Sequence, residues 1–450
     1  MTTKPMMLRL WSLLIAVLLL AALPAPARAI GIKAVTSPGG ITAWLVEDHT
    51  IPLISMAFSF RGGASADPDG KTGLAQFLSG MLDEGAGKLD SAAFQARVDE
   101  LSMKLSFEAG RDQFIGSLQT LSAVRDQSFA LLKLALTAPR FDPEPLQRIR
   151  NQLLVDLREH EEDPEEVAAL AWMRTALGRH PYGRPTNGTE ETLNAVAAED
   201  LRVLSHRLFA RDSLLIAIVG DIDADTLKRL LDKTFGSLPA ASGMPAVPEA
   251  APPAGPIVEV IERDIPQSII CFGQEGIKRS DPAYIAAHVM NTILGDDTAG
   301  ARLSDELREK RGLTYSVYSE LRTLERAGIF YGCAATVNER AAEAIEILRQ
   351  QLKQMADDGP TEQELADAKA YLTGSYALDL ESSSDIAYRL LVIQRHKLGI
   401  DYMDRYDELI QAVTLDEVKR VARRLIKPDE LVFTVVGKPQ GVKPTLRTGG

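Results

Sequence analysis

The chain has 450 residues and a mass of 49.0 kDa, too much for one ordinary domain and comfortable for two. Hydrophobic, charged and aromatic fractions of 45%, 25% and 6% exclude disorder and fibre. A formal net charge of −12, with no block of Lys and Arg, excludes the concentrated cationic face that nucleic acid requires.

Residues 1–29 hold Lys4 and Arg9, then the apolar run Leu10 to Leu23, then Pro24-Ala-Pro-Ala-Arg-Ala29. A basic start, a short apolar core and an A-x-A site form the pattern of a secretory signal peptide. The segment carries three basic and no acidic residues, so the mature chain holds −15. No later stretch is long and apolar enough to span a bilayer. The expectation is an exported protein, periplasmic or secreted, with no membrane contact after signal cleavage.

The remainder is one unit written twice. Ile51-Pro52, Phe58 and Asp67-Pro68 are answered 214 positions later by Ile265-Pro266, Phe272 and Asp281-Pro282. Ala195-Val196, Arg207-Leu208, Asp212 and Val219-Gly220 are answered 217 positions later by Ala412-Val413, Arg424-Leu425, Asp429 and Val436-Gly437. Each copy is far longer than a solenoid repeat. Between the copies, residues 240–256 are rich in Pro and Ala and read as a semi-extended linker. The domains are therefore placed at 30–239 and 257–450.

The elements recur in the same order. Strands Leu53–Phe60 and Gln267–Gln274 lead into helices Thr72–Leu82 and Ala283–Leu294, each after an Asp-Pro pair. Helices Ser122–Ala138 and Glu339–Asp357 show 3.6-residue apolar spacing, and each copy ends on a strand, Leu214–Val219 or Leu431–Val436. This order predicts two homologous α+β domains, each a mainly antiparallel sheet with helices packed on one face. Facing each other, they enclose a cleft. Cys271 and Cys333 both fall in strands of the second copy. Two buried thiols are the favoured reading, with a single bridge open in an oxidising compartment.

The first long helix reads Gly73-Leu-Ala-Gln-Phe-Leu-Ser-Gly-Met-Leu-Asp-Glu-Gly85. It resembles the insulinase/pitrilysin family of zinc peptidases, whose inverted H-x-x-E-H motif sits in a similar helix. In that family two His four residues apart bind zinc, and the intervening Glu deprotonates water. The matching positions here are Gln76, Ser79 and Gly80. The third ligand position, 76 residues on, falls at Asp156 in Leu153-Leu-Val-Asp-Leu-Arg-Glu-His-Glu-Glu-Asp-Pro164. His180-Pro-Tyr-Gly-Arg-Pro-Thr-Asn-Gly188 resembles a further family segment. None of the six histidines pairs at ligand spacing, so the resemblance implies a catalytic metal site erased, with no cofactor in this chain.

In the second copy, Leu294-Gly-Asp-Asp-Thr-Ala-Gly-Ala-Arg-Leu303 and Leu307-Arg-Glu-Lys-Arg-Gly-Leu-Thr-Tyr-Ser-Val-Tyr318 resemble the segment with which relatives bind the substrate backbone. The resemblance assigns that task to Arg308 and Tyr315, whose N–H and O–H groups suit a carbonyl gaining negative charge. Read without it, Arg308 is a surface ion-pair member and Tyr315, alternating with Val317, a core residue. The resemblance implies a non-catalytic, substrate-binding subunit of an exported heterodimeric zinc peptidase. Its partners are a zinc-bearing homologous subunit and a peptide or unfolded polypeptide substrate. An inert scaffold or peptide-binding protein of the same fold is the alternative, and a stand-alone zinc peptidase is a third reading that the missing ligands oppose.

Overall fold

The computed structural model describes residues 31–253, 255–296, 300–376 and 378–446. The signal pattern at 1–29 and residues 297–299 lie outside them. Among the described residues, no helix is long and apolar enough to cross a membrane.

The first half builds a six-stranded sheet from β1 (Ile32–Thr36), β2 (Thr42–Glu47), β3 (Leu53–Arg61), β4 (Lys104–Ala109), β5 (Gln113–Leu121) and β6 (Leu215–Gly220). Its strand order is β1-β2-β6-β3-β5-β4. The second half builds a five-stranded sheet from β7 (Ile257–Glu262), β8 (Gln267–Glu275), β9 (Thr314–Thr323), β10 (Gly328–Val337) and β11 (Val432–Gly437), in the order β7-β11-β8-β10-β9. Without β1 the two orders are the same, with one parallel pair in each, β2–β6 and β7–β11. The repeated residues account for this. Val219-Gly220 and Val436-Gly437 end the matching strands β6 and β11.

The helices of the first half are α1 (Leu74–Ser79), α2 (Ser91–Glu100), α3 (Arg125–Thr137), α4 (Pro143–Glu162), α5 (Pro164–Leu177), α6 (Glu190–Ala195), α7 (Ala198–Leu208) and α8 (Ala224–Phe235). Those of the second are α9 (Tyr284–Leu294), α10 (Ala341–Asp357), α11 (Glu362–Tyr376), α12 (Ser383–Arg395), α13 (Tyr402–Ala412) and α14 (Leu415–Leu425). The two Asp-Pro pairs start the matching helices α1 and α9. Asp67 accepts the N–H groups of Gly73, Leu74 and Ala75 at 2.9–3.1 Å, and Asp281 accepts that of Ala283 at 2.8 Å. Backbone donors at a helix start are thereby satisfied.

The expected helix Thr72–Leu82 is cut to Leu74–Ser79. Gly73 adopts φ +86°, and Gly80 caps the helix while Met81 turns back to the Leu78 carbonyl at 3.1 Å. Glycine at 80 is a weak helix former, so the helix stops where a longer side chain would let it run on.

Each sheet has two covered faces. Ile54, Met56, Phe58 and Phe60 of β3 point into the core formed with the first half's own helices. The alternate residues Ser55 and Ser59, both 1% exposed, face the other way, toward α12 from the second half. Reciprocally, Ile269 and Cys271 of β8 and Val432 and Val436 of β11 pack with Trp172 and Met173 of α5, a first-half helix. Each exchanged helix gives a side-chain N–H to an interior strand of the other half's sheet. Trp172 Nε1 donates to Val432 O at 2.9 Å, and Gln394 Nε2 donates to Ile216 O at 2.9 Å.

Cys271 and Cys333 stand directly opposite each other on β8 and β10 and form a disulfide, with Cα atoms 4.1 Å apart. This corrects the two-thiol reading. The register that places them face to face is a tertiary property, which spacing alone does not reveal. The linker is tied to both halves, through Gly243 N–H to Arg207 O at 3.0 Å and Ala250 N–H to Arg326 O at 2.9 Å.

Gly273 makes the Trp172 contact feasible, because a Cβ there would lie 2.5 Å from Trp172 Cζ2 and 2.6 Å from Phe330 O. Gly273→Ala is expected to lower unfolding free energy by about 1–3 kcal/mol. Urea denaturation followed by Trp fluorescence measures it, and wild-type stability in the variant would show that Trp172 is not fixed there.

Candidate functional site

The two helices that carry the family's metal positions lie against each other. Helix α1 packs against α4, the helix that carries Asp156. Gln76 is half-buried on α1, and the buried Ser79 hydroxyl donates to the Gln76 carbonyl at 2.7 Å. Any side chain at Gly80 starts 3.2 Å from Ile149 Cγ2 of α4, a contact that Ile149 relieves only by giving way a few tenths of an ångström. Arg150, one residue further on α4, is 8% exposed. It donates to the carbonyls of Leu193 and Val196 and lies 5.4 Å over the Phe77 ring.

Nearby carboxylates are engaged elsewhere: Glu84 accepts from Ser91 Oγ at 2.6 Å and from Arg148. Among the described residues, no group of three His, Cys, Asp or Glu could hold a metal ion. A neutral amide, a hydroxyl, a glycine and one aspartate do not fit zinc, and no metal chemistry is derived for this chain.

Arg308 and Tyr315 do come together. Arg308 lies in a short π-helical segment, Ser304–Glu309, anchored by the fully buried Leu307. Its guanidinium sits 5.8 Å over the Tyr315 ring. The neighbouring charges are largely satisfied among themselves, since Glu306 pairs with both Lys310 and Arg311. Among the described residues Arg308 pairs with Glu309 alone, at 3.5 Å, and its side chain stays 54% exposed.

Tyr315 is 82% exposed, which overturns its reading as a core residue. The cause is a β-bulge. Val317 pairs with Ala334 and Thr314 with Thr336, so Tyr315 and Ser316 together oppose Ala335 alone. The extra residue breaks the period-2 alternation and turns Tyr315 outward from the edge strand β9. Arg302 of the same segment is consumed structurally. It makes two hydrogen bonds to the Glu364 carboxylate, at 2.5 and 2.7 Å, and one to Gly359 O.

The His180–Gly188 segment proves to be a staple between the halves. Tyr182 is fully buried; its hydroxyl donates to Asp112 Oδ1 at 2.7 Å and accepts the Arg326 N–H at 3.0 Å. Asp112 also takes the Glu325 N–H at 2.8 Å, pinning the β9–β10 turn to the first half. Beside this staple, a cavity of about 390 Å³ opens along the seam, lined by Arg111, His160, Glu165, Asn187, Tyr318 and Arg322 among others. Burial and the facing Arg322 push the Arg111 guanidinium down to about 10. Sequence reading singled out neither arginine. The only available signal was the adjacent Pro185–Gly188, which lines the same space.

Two outcomes check these assignments. Burial alone would raise the Glu364 carboxyl, but hydrogen bonds from Arg302 and Thr361 reverse this and hold it at about 2. A depressed carboxylate stabilises the fold above its unfolded value and loses that contribution as pH falls toward 2. Arg302→Ala is thus expected to flatten the stability loss between about pH 4.5 and 2, measured by chemical denaturation across that range. Tyr315→Ala, at an exposed bulge, is expected to change unfolding free energy by less than about 0.5 kcal/mol. A cost several times larger would return Tyr315 to the core.

The profile described as "Insulinase (Peptidase family M16)" matches residues 43–190, and "Peptidase M16 inactive domain" matches residues 195–372. The chain is 24% identical over 394 residues to a protein of Helicobacter pylori named "Non-peptidase homolog YmxG", covering 87% of this chain and 90% of that one. It is 27% identical over 410 residues to an uncharacterized zinc protease of Mycobacterium tuberculosis, covering 89% and 92%. A crystal structure of a peptidase M16 inactive domain from Pseudomonas fluorescens superposes with TM-score 0.86 and 28% identity, over 92% of this chain and all of that one. A Helicobacter pylori protease structure shares the fold, with TM-score 0.81 at 18% identity, over 90% of this chain and 99% of that one. With two successive profiles spanning most of its length and the metal positions filled by residues that cannot bind zinc, this chain belongs to the insulinase family, peptidase family M16, as an inactive-type homologue.

Proposed function

We propose that this chain is the non-catalytic, substrate-holding subunit of an exported heterodimeric zinc peptidase. The observation that carries the reading is the contrast between its two candidate sites. The metal positions hold an amide, a hydroxyl, a glycine and one aspartate, whereas Arg308 and Tyr315 meet at the surface with their side chains exposed. A guanidinium and a phenol presented this way can donate to a peptide carbonyl as it gains negative charge. A zinc-bearing homologous chain supplies what this one lacks. The A-x-A pattern at residues 1–29 supports export, as does the Cys271–Cys333 bridge, which an oxidising compartment preserves. Substrates are peptides or unfolded segments small enough to enter the space between the two chains.

The test is reconstitution with a zinc-bearing homologue from the same genome. The pair is expected to cleave unstructured peptides, with metal bound to the partner only. Arg308→Ala and Tyr315→Phe in this chain are expected to lower kcat/KM by about 100-fold without loss of assembly. One zinc per chain with cleavage by the lone protein would overturn the proposal. So would an active pair indifferent to both substitutions.

A further inference from the structure

A second cavity, of about 430 Å³, lies wholly within the second half, among α9, α11, α12 and α13. Its size is that of a small-molecule site. Arg279, Arg389 and Arg395 line it, and Asp296 is the acidic residue among the described lining; Arg279 and Arg395 are the two that matter here.

Among the described residues, Arg279 and Arg395 have no carboxylate partner. Arg279 donates to the Tyr402 hydroxyl at 2.6 Å and lies 4.0 Å over the Tyr284 ring. Arg395 has one terminal nitrogen 3.2 Å from His396 Nε2, while its Nε is buried without a hydrogen-bond partner. Both side chains are half-buried, and a guanidinium drawn partly out of water without a carboxylate retains an unmet demand for an anionic acceptor. Two histidines share the space and add no charge at neutral pH. His396 is pushed down to about 4 by burial and by Arg395 and Arg279. Burial also lowers His288, with Arg279 and Arg389 acting the same way and Asp296 opposing them.

Five tyrosines, Tyr284, Tyr371, Tyr376, Tyr402 and Tyr406, share the lining with a few aliphatic and hydroxyl side chains. Tyr376 and Tyr406 stack with ring centroids 3.9 Å apart, and Tyr402 meets Tyr406 edge-on at 6.1 Å. Tyr371, 46% exposed, also lines the cavity. Cations without counter-ions beside a set of rings suit a ligand with an oxyanion at one end and a flat apolar body at the other.

We infer that the cavity among α9, α11, α12 and α13 binds a small organic oxyanion, a carboxylate or phosphate carried on an aromatic body, through Arg279 and Arg395. This site does not depend on the proposed peptidase partnership. It shares no residue with the Arg308–Tyr315 pair.

Calorimetric titration of the full chain with phenyl phosphate, phenylacetate, inorganic phosphate and phenol tests the assignment. At least one aryl oxyanion is expected to bind saturably with a Kd of about 1 mM or tighter. Which one binds distinguishes a phosphate from a carboxylate site. Phenol is expected to bind more weakly than either. Arg279→Gln and Arg395→Gln are each expected to weaken binding by about 10- to 100-fold, and Arg395→Lys, which keeps the charge, by less. A structural role alone would not move the His396 titration, followed by NMR, which is expected to shift upward toward 6.5 when the oxyanion binds. Failure of both aryl oxyanions to bind the wild-type chain overturns the inference, as does binding unchanged in folded glutamine variants. Equal affinity for inorganic phosphate and phenyl phosphate overturns its aromatic half.

Discussion

Everything else in the molecule rests on the reciprocal exchange of α5 and α12. A sheet of alternating side chains has two faces, and helices of its own copy cover only one of them. Here the second face of each sheet is buried by a helix from the other copy, which brings a buried N–H to a strand carbonyl. Neither half therefore has a finished core on its own. The linker, the Tyr182 staple and the pinned β9–β10 turn all cross the same seam, so the two copies behave as one body.

That constraint explains which parts of the fold could be read from the sequence. The duplication, the strand–helix order and the two Asp-Pro helix starts are local or pairwise features, and they were legible. The matching strand orders follow from them. The exchange was not legible, because the burial pattern of α5 is the same whichever sheet it covers. The Cys271–Cys333 pairing depended on register, and the shortened α1 depended on what glycine at 80 does to a helix end.

The candidate site divides along the same line. The absence of zinc chemistry was plain from Gln76, Ser79 and Gly80, since ligand chemistry is a property of residue type. The exposure of Tyr315 was not plain, because one extra residue in β9 reverses an alternation that otherwise reads as core. Arg111, Arg322, Arg279 and Arg395 carried no motif. Only the fold gathers them beside cavities, and charge that is scattered in sequence comes together in space.

The residues at the metal positions also set how far this chain stands from metal chemistry. Restoring the family motif takes histidine at 76 and 80 and glutamate at 79 and 156. The two histidines and the glutamate at 156 are the ligands, and the glutamate at 79 is the base. A Cβ at position 80 starts 3.2 Å from Ile149 Cγ2, so a histidine there also asks that side chain to give by a few tenths of an ångström. Metal chemistry is thus several coordinated changes away, whereas one substitution at Arg308 or Tyr315 alters a surface that already faces outward.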